Sequence, residues 1–240
     1  KCSFVCPHAA IRPFLTTDEE AAQAPAGLAK KKAIGTDKYN FTIAISVNDC
    51  LGCTSCVKVC PAQALEMTDY DKEQDKAALW DYLVDLPQKP NFLDKTTVKG
   101  SQFEMPYLEF TGACAGCAET PYAKVITQLF GDRMIIANAH GCSNVWGGSA
   151  PTNGYKMNQQ GHGPAWGNSL FEDNAEYGLG FFIGDRSNRE LLKGYVDDAK
   201  AVASPELAAL LQDWEDNMEV ADGTRERSDA VIAALEKEKA

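Results

Sequence analysis

What this 240-residue chain lacks closes off several classes of protein. It has no uninterrupted apolar run of about 18 residues, so no membrane-spanning helix is expected. No charged-then-apolar leader opens it, so no secretory signal is expected either. Basic residues are outnumbered, 23 against 34 acidic ones, leaving a net charge of −11. Nucleic-acid binding would demand a basic footprint and is excluded as the main role. The acidic residues crowd the C-terminal third (Glu206, Asp213, Glu215, Asp216, Glu219, Asp222, Glu226) and read as solvated helix faces. Cysteine is absent from residues 7–49, 61–113, 118–141 and 143–240. Its nine occurrences are confined to Cys2 and Cys6, then Cys50, Cys53, Cys56 and Cys60, then Cys114 and Cys117, then Cys142. Grouped thiols without a secretory signal point to metal ligation rather than disulfides, and to a cytoplasmic, anaerobic setting.

The densest group is Cys50-Leu51-Gly52-Cys53-Thr54-Ser55-Cys56-Val57-Lys58-Val59-Cys60-Pro61. This is the Cys-x2-Cys-x2-Cys-x3-Cys-Pro run that holds 4Fe–4S clusters in bacterial-type ferredoxins, where the fourth cysteine serves the other cluster. A zinc ribbon also uses Cys-x2-Cys, but as two separated pairs and without the closing Cys-Pro. The chain opens on the tail of a second such run, Lys1-Cys2-Ser3-Phe4-Val5-Cys6-Pro7, with its first two cysteines missing. Lys1 is therefore not expected to be the natural beginning. By the two-cluster pattern, Cys50, Cys53 and Cys56 take one cubane with Cys6 as its fourth corner. Cys60 and Cys2 belong to the other.

Along the chain, residues 1–70 form an expected first unit. Thr16 and Thr17 followed by Asp18, Glu19 and Glu20 read as a helix start, leading into a short alanine- and lysine-rich helix broken near Pro25 and Gly27. Residues 39–47 alternate large apolar with smaller or polar side chains, a strand placed directly before the cysteine run. Residues 71–106 read as a connector, charged and partly helical over 69–81, extended around Pro87 and Pro90, and non-helical from Ser101 to Pro106. A second unit is expected from Tyr107 to Ala240. It starts with a helix from Thr120 to about Phe130, with Pro121 in its first turn, and a short buried strand over 133–138. Residues 139–167 are glycine- and asparagine-rich without periodicity, a long loop of the kind that carries function. Helices are expected over 168–182, 187–203, 204–222 and 224–239.

The second constellation is Gly112-Ala113-Cys114-Ala115-Gly116-Cys117-Ala118-Glu119-Thr120-Pro121-Tyr122. Small residues around Cys-x2-Cys let the backbone close about a metal, though the pair alone reads equally as a redox dithiol. Cys142, in a loop after the expected strand, makes three: a cluster or zinc site lacking one ligand. Glu119 is either a helix-start carboxylate favoured by the macrodipole or a site residue.

These segments, with Cys6–Pro13, Val98–Phe103, Gln128–Met134, Gly141-Cys142, Trp146–Pro151 and Gly163–Gly178, resemble the pyruvate:ferredoxin (flavodoxin) oxidoreductases. The resemblance covers nearly the whole chain. It implies an internal fragment: an α+β two-cluster ferredoxin-like domain (residues 1–70), a linker (71–106), and an incomplete α/β thiamine-diphosphate-binding domain (107–240). Carried over by position, Cys114, Cys117 and Cys142 are three ligands of a third, proximal 4Fe–4S cluster, and Glu119 and Cys142 lie against thiamine diphosphate. Ala118 and His140 depart from the family, which usually has glycine and threonine there. The Gly-Asp-Gly motif that holds Mg2+ and diphosphate is absent, and Gly131-Asp132-Arg133 is not a substitute.

The family implied is one that cleaves pyruvate with coenzyme A to acetyl-CoA and CO2, passing electrons through 4Fe–4S clusters to ferredoxin or flavodoxin, as a homodimer. This chain would be inactive alone. Two other classes stay in view: a stand-alone ferredoxin-type carrier, and a related 2-oxoacid:ferredoxin oxidoreductase. The glycine-rich loop and third cysteine group argue against the first, since a carrier needs neither.

Overall fold

The computed structural model describes residues 1–148 and 153–239. They divide into two compact units, Lys1–Asn174 and Ala175–Ala240. Ser149, Ala150 and Pro151, which close one of the family-like segments, lie outside the described residues. Among the described residues, no helix is long and apolar enough to cross a membrane.

The first unit opens with a single helical turn, α1 (Cys2–Val5), followed by strand β1 (Ile11–Thr16). Helix α2 (Asp18–Gln23) starts at a capping box: Thr17 accepts from the Glu20 amide at 3.2 Å, and the Thr17 amide donates to the Glu20 carboxylate at 2.8 Å. This reciprocal pair satisfies two of the donors left free at a helix start. The lysines expected to continue that helix instead form strand β2 (Lys31–Lys32). Strand β3 (Asn40–Ile45) lies between β1 and β2, antiparallel to both. Pro13 is accommodated because β1 is an edge strand, where one ladder donor is dispensable. A second single turn, α3 (Ser55–Lys58), follows within the main cysteine run.

The faces of β3 are used in an unexpected way. Its smaller residues Asn40, Thr42 and Ala44 are buried, while Ile43 and Ile45 are 46% and 36% exposed. What covers the small face is helix α4 (Ala77–Asp85), which lies in the stretch read as a connector. Its Leu79, Trp80 and Leu83 pack with Ala44 and Phe14, and the Phe14 and Trp80 rings meet edge to face at 5.6 Å. Small residues on the strand let a helix with large ones approach, so the stretch 77–85 is core rather than linker. The Arg12 guanidinium stacks 5.0 Å from the Trp80 ring and pairs with Glu109, which also holds Lys156 at 2.6 Å.

Beyond a 3-10 turn at Gly100–Phe103 comes α5 (Thr120–Phe130), as expected, with Pro121 in its first turn. Strand β4 (Ile135–Ala139) runs parallel to β5 (Ala165–Ser169), with helix α6 (Cys142–Gly148) between them in the chain. In this small α/β region, helix α6 and the start of β5 take up part of the structureless loop expected over 139–167, while the described residues 153–164 carry only an isolated bridge at Tyr155. Strand β4 is not buried along its length: Asn138 is covered, but Ile135 is 52% exposed. Asn138 pairs across the two strands with Asn168, amide to carbonyl at 2.8 Å.

The second unit is helical. The two helices expected over 168–182 and 187–203 are one, α7 (Asn174–Lys200), followed by α8 (Pro205–Asp216) and α9 (Thr224–Lys239). Ser204 caps α8 by accepting from the Leu207 amide at 3.2 Å. Val196, Leu207 and Leu211 form its core with Trp214 and Val231 around them. The boundary between compact units falls at Asn174.

Leu83 is 2% exposed at the centre of the first core. Leu83→Ala removes buried methyl groups and leaves a cavity, which costs about 2–5 kcal/mol. The expected loss is read as a lowered midpoint in urea denaturation.

Candidate iron–sulfur site

Strand register brings the two cysteine runs together. Ile11 is opposite Ile45 in the β1–β3 pair. Cys6 precedes Ile11 by five residues and Cys50 follows Ile45 by five, so both runs leave the same end of the ladder side by side. A cavity of about 650 Å³ opens there, lined by Cys6, Cys50, Cys53 and Cys56. Ile43, Ile45 and Val47 form part of its wall, which explains why β3 turns its large residues away from the core. An apolar wall lowers the local dielectric and limits water, two levers on a cluster's potential.

The backbone of the cysteine loops is shaped to present N–H groups to sulfur. Gly52 and Thr54 both have φ 65°, so the loop coils into the kind of concave amide nest that holds anions and iron–sulfur centres. For the β-branched Thr54 this conformation is strained, as functional loops often are. After each Cys-Pro the chain turns in the same way: Ala9, three residues past Cys6, has φ 53°, and Gln63, three past Cys60, has φ 49°. The two half-runs are thus structural repeats, a helical turn (α1 or α3) leading to Cys-Pro and a left-handed residue. The two turns pack against each other.

The thiols respond to these surroundings in different directions. Cys60 is drawn below the usual thiol range by backbone amides, first that of Ala64, which donates to its Sγ at 3.3 Å, then Ala62. At Cys53 burial pushes the thiol up, but the Ser55 hydroxyl and the amides of Ser55 and Gly116 outweigh it, and the net shift is downward. Cys56 is raised, by burial first and then by repulsion from the thiolates of Cys6, Cys50 and Cys53. Among the described residues no group of three His, Cys, Asp or Glu side chains is placed to hold a single metal ion. The ligands of a cubane sit on separate corners. Four thiols around one cavity, with amides aimed at sulfur, fit a 4Fe–4S cluster.

The second cysteine group reaches the first through its backbone. Gly116, between Cys114 and Cys117, has φ 76° and directs its amide at the Cys53 sulfur. An added Cβ there would sit 3.5 Å from the Cys53 Cβ. His8 is buried, lines the cavity, and has the backbones of Cys114 and Thr111 against its ring. Among the described residues its Nε2 has no hydrogen-bond partner. Cys114 itself is exposed, and Cys117 packs against Leu108, Ala113 and Trp146. Cys142, also exposed, begins α6 one turn before Trp146, on the same helix face. The Trp146 indole N–H donates to Glu119 at 3.3 Å. Cys117, Glu119 and α6 therefore share one neighbourhood. Tyr155 joins it: its ring meets Trp146 at 6.5 Å, and burial together with the Glu119 charge pushes its hydroxyl up to about 12. His140 contacts the Asn168 amide at 3.2 Å, a partnership at the strand ends.

Sequence reasoning missed Lys124. It lies on α5, is 1% exposed, and donates to the carbonyls of Ser3, Phe4 (3.3 Å) and Cys6 (3.0 Å). Burial pushes its ammonium down to about 8, opposed by the Cys6 and Cys2 thiolates. Around it, Ser3 donates to Gln102 at 2.8 Å, Gln102 to Gln128 at 3.1 Å, and Gln128 to the Glu104 carbonyl at 2.9 Å. A buried polar seam therefore joins α5 to α1. Helical spacing gave only a hint, because Lys124 falls with Thr120, Thr127 and Gln128 on the buried face.

Comparison with known proteins agrees with this geometry. Residues 1–64 match the family described as "4Fe-4S dicluster domain". The chain is homologous along its whole length to pyruvate-flavodoxin oxidoreductase of Klebsiella pneumoniae, with 52% identity over 242 residues, 100% of the chain and 21% of that protein. It is 48% identical to pyruvate:ferredoxin oxidoreductase of Moorella thermoacetica, over 98% of the chain and 21% of that protein. It is 45% identical to the mitochondrial pyruvate dehydrogenase [NADP(+)] of Euglena gracilis, over 99% of the chain and 13% of that protein. The resemblance read from the sequence holds, and the chain spans about a fifth or less of these relatives.

The opposed thiol shifts are testable in the iron-free chain. Cys60, favoured as thiolate, is alkylated by iodoacetamide at lower pH than Cys56, whose thiolate is disfavoured. Peptide mass spectrometry across a pH series reads the order, and equal onset at both residues contradicts it.

Proposed function

We propose that this chain is the electron-relay portion of an oxidoreductase that converts pyruvate and coenzyme A to acetyl-CoA and CO2. In that reaction two electrons leave, one to each of two oxidised ferredoxin or flavodoxin molecules. The observation that carries the reading is the meeting of Cys6 with Cys50, Cys53 and Cys56 around one cavity, despite the intervening residues 7–49. Whole-length similarity to enzymes named for pyruvate, and for ferredoxin or flavodoxin, supports the substrate and the acceptors. The Euglena relative, named for NADP(+), matches over the same residues. We infer that the final acceptor is chosen outside them.

In this reading Cys6, Cys50, Cys53 and Cys56 hold one cluster, and Cys2 and Cys60 contribute to a second. Cys114, Cys117 and Cys142 contribute to a third, on the small α/β region that would begin a thiamine-diphosphate domain. The clusters would supply one-electron storage and thiamine diphosphate, with Mg2+ held elsewhere, would supply carbanion stabilisation. The residues here do the holding. The amides of Gly116 and Ala64 bind sulfur, and Ile43 and Ile45 give the cavity an apolar wall. Glu119, anchored by the Trp146 indole, keeps a carboxylate beside α6, where with Cys142 it would face the thiamine. A cytoplasmic homodimer is the assembly this reading carries.

Anaerobic reconstitution of the chain with iron and sulfide is expected to give about one stable 4Fe–4S centre, from its one complete ligand set. Cys6→Ala is expected to abolish it, as read by iron content and electron paramagnetic resonance of the reduced protein. Bound zinc with no iron chromophore would contradict the assignment.

A further inference from the structure

Lys124 has a cost that the ligand assignment does not explain. A buried ammonium is unfavourable unless its charge is compensated. All three of its donors are used on the carbonyls of Ser3, Phe4 and Cys6, at the end of α1. Those contacts clamp the turn, but a neutral amide could serve two of them without desolvating a charge. Among the described residues Lys124 has no carboxylate partner. The other cation nearby, Arg12, is paired with Glu109. The anionic groups that do feel Lys124 are the thiolates of Cys6 and Cys2, which flank the same helical turn.

Reduction of a cluster adds an electron to a centre that thiolates and sulfides already make negative. A fixed cation in a low-dielectric interior favours the more negative state, and net charge is among the quantities that set a cluster's potential. We propose that Lys124 is an electrostatic tuning residue whose buried ammonium holds the reduction potentials of the two clusters ligated through Cys2 and Cys6 above the values they would otherwise have. This rests on the ligand assignment proposed above. Helix α5 thereby gains a second role, since it begins beside Glu119 in the small α/β region and reaches back to set the potentials of the ferredoxin-like region.

The test is a redox titration, followed by electron paramagnetic resonance, of the full-length cluster-loaded enzyme and its Lys124→Gln, Lys124→Met and Lys124→Arg variants. Both neutral variants are expected to move the midpoints of the two ferredoxin-type clusters to more negative values. Lys124→Arg is expected to stay near the wild type, and the third centre to remain in place as an internal reference. Unshifted midpoints in a neutral variant with full iron content would overturn the proposal. So would a common shift of all three centres, or loss of clusters from both neutral variants, which would make Lys124 an assembly clamp only. A wild-type enzyme without iron would instead sink the ligand assignment itself, before any variant is compared.

Discussion

The antiparallel register of β1 on β3 is the constraint on which the rest of the structure depends. It fixes which cysteines can meet. Because the side-chain period of a strand is two, a one-residue slip would turn Ile43 and Ile45 into the core and lift Ala44 from under α4. It would also shift Cys6 against Cys50 at the mouth of the ladder. The register is pinned from the core side by Trp80 and Leu83 packing on Ala44, and by Arg12 stacked on Trp80 and paired with Glu109. Core packing and ligand gathering are therefore the same fact seen from opposite faces of one sheet.

That arrangement accounts for what could and could not be read from residues alone. The cysteine spacing, the helix start at Thr16 and Thr17 and helix α5 were legible because their signals are local. Strand β1 was not: Pro13 and Arg12 argue against a strand unless the partner and the stacking ring are known. Helix α4 looked like linker because a charged stretch precedes it and Pro87 and Pro90 follow it, and its importance comes from a distant strand of small side chains. The alternation in β3 was legible but its orientation was not, since the usual rule buries the larger set. Here the larger set faces the ligand cavity. Helix α6 and strand β5 were hidden by glycines that permit close contact. A Cβ on Gly148 would fall 2.5 Å from the Trp166 ring, so the glycine reports packing rather than a loop.

The Cys114–Cys117 loop is connected to the cavity by backbone rather than by side chains. The Gly116 amide at the Cys53 sulfur and the Cys114 backbone at His8 mean that any movement of the 114–117 loop is felt at Cys53 and His8. Backbone contacts of this kind suit an electron-transfer protein. They hold redox groups close and rigid, which limits the rearrangement accompanying each change of charge, while leaving side-chain identity free to set polarity. The buried seam from Ser3 through Gln102 to Gln128 performs the same stiffening on the far side of α1.

One shared site, assembled from both cysteine runs, is what the proposed electron-relay role requires. Anomalous diffraction at the iron edge, from crystals of the cluster-loaded enzyme grown without oxygen, tests it most directly. The expected result is a compact iron peak in the cavity bounded by residues 6, 50, 53 and 56, with each sulfur on its own corner. A cubane closed by Cys60 in place of Cys6, or no iron in that cavity, would contradict it.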